Sequence, residues 1–135
     1  MKNYLFILVV TLLSNFLTSQ KISENDIMGR WNVVKVSEKI DHPNFKEIEK
    51  SFSSAVFEFN ADKSFKLTTR SNSKLFSMVK DMTANSKWRL NKDKTIAIGN
   101  QSNKYSIMNI IVIAANDKII FKMSETELNL EVQKE

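Results

Sequence analysis

Gly29-Arg30-Trp31-Asn32-Val33-Val34-Lys35-Val36 is the stretch whose reading decides the fold. Three valines and a tryptophan are the β-branched and aromatic types that suit a pleated, half-buried surface. A Gly-x-Trp leading straight into such a run reads as the first strand of a small antiparallel β-barrel.

Upstream, Lys2 supplies a positive start, and Tyr4 to Leu17 is apolar except for Thr11, Ser14 and Asn15. The small residues Thr18-Ser19 then precede Gln20. That order is the order of a secretory signal peptide over residues 1–19, with cleavage after Ser19. A membrane anchor needs about 20 apolar residues to cross the hydrocarbon. This run is shorter and no positive cluster follows it, so the expectation is an exported chain, periplasmic or secreted. No stable membrane span is expected after cleavage, and residues 20–135 form one domain. The chain has no cysteine, which excludes lipid attachment through an N-terminal Cys, disulfide staples and Cys-based metal sites. Stability must then come from packing and sheet hydrogen bonding. The net charge of +5 is spread over single and paired lysines, as on a solvated surface, with no block of like charge.

Downstream, apolar residues recur with the two-residue period of strands. Ala55, Phe57 and Phe59 share one face, the polar run Asn60-Ala61-Asp62-Lys63 turns the chain, and Phe65 and Leu67 continue the hairpin. The second half repeats the device: Trp88 and Leu90, a turn at Asn91-Lys92-Asp93-Lys94, then Ile96 and Ile98 up to Gly99-Asn100. A longer strand spans Tyr105 to Ala114, Asn116-Asp117 turns into Ile119, Phe121 and Met123, and Leu128, Leu130 and Val132 close the series. Eight strands joined by short polar turns, without crossover helices, predict an all-β, eight-stranded antiparallel up-and-down barrel with one or two short helical inserts.

The inserts fall at residues 44–52 and 74–83. The first places Phe45, Ile48 and Phe52 on one helical face, with Asn44 and Glu47 spaced like a capping box. The second places Leu75, Met78, Val79 and Met82 in one arc. Both are too short to be stable alone, so each is expected to dock on a barrel end.

In their order and spacing these features resemble the bacterial lipocalin-like domains, small exported β-barrels. The resemblance is carried by Gly29-x-Trp31, Phe57-x-Phe59-Asn60-x-Asp62-Lys63-Ser64-Phe65 and Lys87-Trp88-Arg89-Leu90 with its Asn91–Thr95 turn. Tyr105-Ser106-Ile107, Lys118-Ile119-Ile120-Phe121 and Leu128-Asn129-Leu130 complete it. It implies that Trp31 is a structural plug at the closed end, with a basic residue packed across its ring. The final strand has no Arg, and Lys122 and Arg89 are the candidates for that cation. With only Gly29 and Gly99 available, the curvature of so small a barrel is expected to come from bulges.

Catalysis finds little support. His42 is the single histidine, set in a loop beside Pro43, and Glu58 alternates with Phe57 and Phe59 so as to face outward. No catalytic residue, metal ligand or cofactor is expected, and no nucleophile elbow, phosphate loop or HExxH helix occurs. A nucleic-acid partner is not expected, because in Phe65-Lys66 and Lys87-Trp88-Arg89 the aromatic and the cation fall on opposite faces. Asn100-Gln101-Ser102 matches a glycosylation sequon, a pattern common by chance.

Two readings remain. Eight-stranded barrels either fill with side chains or hold one small ligand. In the first reading the protein binds a small hydrophobic ligand lined by Phe57, Phe59, Phe65, Leu67, Tyr105 and Phe121, with Met78 and Met82 as adaptable lid residues. The inward polar groups such a site needs would be Tyr105 and Asn109. In the second, the barrel is packed solid and is a non-enzymatic module for a protein or glycan partner.

Overall fold

Two turns of one design set the hairpins of this chain. In Asn60–Lys63 the Asn60 N–H donates to Ser64 O, and the Asp62 carboxylate accepts the Ser64 N–H at 2.9 Å. In Asn91–Lys94 the Asn91 N–H donates to Thr95 O, and Asp93 accepts the Thr95 N–H at 3.1 Å. Each ends on a lysine in the left-handed region, Lys63 at φ 73° and Lys94 at φ 65°. Asn116-Asp117, both at positive φ, make the tightest turn, as the right-handed twist of flanking strands favours.

The structure, a computed structural model, describes residues 22–38, 42–71, 73–126 and 128–135. The signal peptide expected at 1–19 lies outside the described residues. A short helix α1 (Glu24–Ile27) precedes β1 (Gly29–Glu38). A 3₁₀ turn (Pro43–Phe45) leads into α2 (Lys46–Ser53), β2 (Ala55–Phe59) and β3 (Phe65–Thr69). Helix α3 (Lys74–Thr83) then connects to β4 (Lys87–Leu90), β5 (Thr95–Gly99), β6 (Met108–Ala115), β7 (Lys118–Met123) and β8 (Asn129–Lys134). The strands form one antiparallel sheet in the order β3-β2-β1-β8-β7-β6-β5-β4. First and last strands pair, so the sheet curls into a nearly closed eight-stranded barrel.

The scarcity of glycine is met as expected. Strand β1 slips register against β8 between Val33 and Lys35, and again between Val36 and Glu38. The first slip breaks the alternation, so Val33 and Val36 are buried while Val34 is left 47% exposed. Bulges of this kind bend a strand without needing glycine.

Two boundaries differ from the sequence reading, while the second insert helix keeps the expected bounds 74–83. Strand β6 begins at Met108, not at Tyr105, because residues 100–106 are consumed by a loop of asparagine bonds. Asn100 Oδ1 accepts the Asn103 N–H, while Asn103 Oδ1 accepts the N–H groups of Asn100 and Tyr105. The N-cap position of α2 is Phe45 rather than Asn44, which lies within the 3₁₀ turn, and the helix starts at Lys46 without a side-chain cap bond. Helix α3 is capped by Ser73, whose hydroxyl accepts the Phe76 N–H at 3.1 Å.

Candidate functional site

Phe57, Phe59, Phe65, Leu67 and Phe121 point inward as their two-residue period requires, and all are buried. They pack against one another. Trp31 meets Phe121 at 5.4 Å between ring centroids, and Phe121 stands edge-on to Phe57 at 5.5 Å. Phe57 stacks on Phe52, which stands edge-on to Phe76 at 5.0 Å. Phe59 extends the series sideways to Phe65 at 5.4 Å and Trp88 at 5.6 Å. Such offset and edge-to-face pairs add about 0.5–1.5 kcal/mol each beyond their area burial. The rings thus run without a break from the base of the barrel to the two helices at its other end.

The base is closed by α1. Ser23 donates both its N–H and its hydroxyl to Asp26 Oδ2, at 2.8 and 2.9 Å, fixing the first turn. These bonds hold the Asp26 carboxyl below its usual range, the backbone bond first, with a smaller contribution from Lys134. Trp31 Nε1 donates to Ile27 O at 2.7 Å, which ties the ring to the end of α1. Its cation is neither Lys122 nor Arg89. Lys134, at the end of β8, places Nζ 5.7 Å from the Trp31 ring centroid and donates to Asp26 O at 3.1 Å. A second lysine repeats the arrangement: Lys63 Nζ lies 4.4 Å over Trp88 and is ion-paired with Glu24. Each lysine clamps α1 onto a tryptophan.

The opposite end is closed by α2 and α3, and here the expected lid is corrected. Met78 and Met82 are 54% and 58% exposed, while Phe76, Val79 and Thr83 form the face of α3 turned to the core. Phe76, fully buried, sets the helix phase, which carries the two methionines away from the interior. Helix α2 buries Ile48 and Phe52 as expected, and Ser51 Oγ lies 3.0 Å from Ser73 Oγ, joining it to the start of α3.

The polar residues expected inside are outside. Tyr105 is half-buried at φ 54°, with the Arg89 guanidinium 4.4 Å over its ring. Asn109 alternates with buried Met108 and Ile110, and its N–H donates to Glu125. Glu58 faces outward, ion-paired at 3.0 Å with Arg30 across the β1–β2 register. His42 is exposed in the loop, 5.6 Å from the Phe45 ring. Among the described residues no three carboxylate or imidazole groups converge to hold a metal, and no helix is long and apolar enough to cross a membrane.

What the sequence reading missed is the seam. β3 and β4 are the two ends of the sheet order, and among the described residues they share no ladder, only an isolated bridge between Ser64, just before β3, and Lys87. Phe65 N–H donates to Ser86 O, Trp88 N–H donates to Lys63 O, and beyond these the strands part. The C-terminal end of α3 and residues 84–86 border the gap, leaving an open groove of about 560 Å³ on the outside of the barrel. Phe65, Leu67 and Thr68 line one side, Thr83, Ala84 and Asn85 the other, with Lys66, Lys80 and Lys87 around it. Asp62 lies nearby, its carboxyl held below the usual range by the Ser64 hydroxyl and N–H, with a smaller attraction from Lys87. No family model, curated protein or solved structure matches this chain. The seam and the contacting rings of the interior therefore carry the functional reading on their own.

Proposed function

We propose that this chain is an exported, non-enzymatic interaction module, a lipocalin-like barrel that meets its partner on its outer surface. The observation that carries the reading is the unbroken series of rings from Trp31 through Phe121, Phe57 and Phe52 to Phe76. An apolar guest in the calyx would have to displace Phe57 or Phe121, both fully buried. Removing a large aromatic from a core costs roughly 3–5 kcal/mol, which a small ligand would first have to offset. The sequence candidates for acid–base work, His42 and Glu58, lie on the loop and on the outer face.

Native mass spectrometry of the purified protein tests this. The expected spectrum is that of the chain alone, and a lipophilic dye such as anilinonaphthalene sulfonate should gain no fluorescence at neutral pH. A lipid retained at one per chain would overturn the reading and restore the carrier of a small hydrophobic ligand.

A further inference from the structure

We propose that the seam between β3 and β4 is a docking groove for an extended acidic peptide, which adds to the free edge of β3. This rests on the surface-binding reading above and supplies its site. In an antiparallel strand the N–H and C=O of alternate residues point to the same side. Phe65 sends its N–H across the seam to Ser86, so the main-chain groups of Leu67 face the same way. Among the described residues no cross-strand partner meets them, since β3 pairs only with β2 and, through Ser64, with Lys87. An unpaired strand edge opening into a groove is a template for another strand.

Charge selects the occupant. Lys66, Lys80 and Lys87 surround the groove, and none is ion-paired with a described carboxylate. The nearby acid, Asp62, already accepts the N–H and hydroxyl of Ser64. Side chains alternate along a strand, so an added segment with an acid at every second position would turn its carboxylates toward the lysines on the outer face. Its other side chains would turn toward the groove wall formed by Leu67 and Phe65. The main-chain groups at Leu67 favour a peptide over a glycan, because a strand supplies N–H and C=O partners at the matching spacing.

A fluorescein-labelled octapeptide of alternating Glu and Val is the probe, titrated into the purified protein at low salt. Binding followed by anisotropy should weaken about tenfold on moving to a few hundred millimolar salt. It should also weaken by about tenfold or more in the triple variant Lys66→Glu, Lys80→Glu, Lys87→Glu. A Lys→Gln version of the three, with an unchanged thermal transition, separates loss of charge from loss of fold. Hydrogen exchange at the Leu67 amide should slow in the complex, and a peptide N-methylated at alternate positions should not bind. Absence of binding, or equal binding by the triple variants, overturns the proposal. So does an oligoglucuronate that binds as tightly and leaves Leu67 exchange unchanged, which would make the groove a general polyanion site. A retained lipid sinks the filled-barrel reading instead, so the two failures are told apart.

Discussion

Lys63 stands in a left-handed backbone position that glycine would occupy without steric cost, and its side chain accounts for the choice. It lies over Trp88 and pairs with Glu24 of α1, work that glycine could not do. Lys94 holds the same place in the sister turn, and among the described residues its ammonium has no aromatic ring or carboxylate partner. Lys94→Gly should therefore raise the urea midpoint, by about 0.5–1 kcal/mol of stability, through relief of backbone strain. Lys63→Gly should show no such gain, because the contacts to Trp88 and Glu24 go with the side chain. The inward residues were legible in the sequence, since Phe57, Phe59, Phe65, Leu67 and Phe121 follow from a period of two. Lys134 as the cation on Trp31 was not, because periodicity assigns faces and says nothing about which flexible side chain reaches across an end. Tyr105 was misplaced for a related reason: side chains of Asn100 and Asn103 bond the backbone and hold residues 100–106 out of the sheet.

Among the elements, α1 and α3 show how short helices borrow their stability. Helix α1 has four residues and depends on its cap and its two lysine clamps. Asp26 has its proton affinity lowered in the folded state, so its contribution is present above the ordinary value of 3.8 and is lost as pH falls through the lower folded value. Acid titration of stability should show this loss below about pH 4. Asp26→Asn should remove that part of the slope. Helix α3 is anchored by Phe76. Phe76→Ala should cost roughly 3–5 kcal/mol in chemical denaturation. Met78→Ser and Met82→Ser, on the exposed side, should each stay within about 0.5 kcal/mol. The sequence could not choose between these faces, because Leu75 and Val79 fit an arc with Met78 and Met82 and equally one with Phe76 and Thr83. Only the size of Phe76 and the cap at Ser73 hint at the phase that is adopted.

In the molecule as a whole, eight strands, their order and their hairpins were readable from turns and alternation, and the barrel follows. The seam was not readable, because β3 and β4 carry the same alternation as strands that pair fully. Helix α3 packs beside β3 at this place, a tertiary contact with no local signature. Opening should therefore be uneven: amides of β3 and α3 should exchange with deuterium faster than those of β6, β7 and β8, which are paired along their lengths. Uniform protection across all eight strands would count against a weak seam. The opposite joint, between β1 and β8, has a different consequence, one of timing. It unites the first and last of the strands, and the Asn32–Glu135 hydrogen bond across it links residues 103 positions apart. A chain delivered from its N-terminal end holds a raw β1 edge until the final strand arrives, and nothing earlier can stand in for it. Contacts so distant in sequence are made slowly. The span between the emergence of β1 and that of β8 is when this protein most needs to be kept from its neighbours.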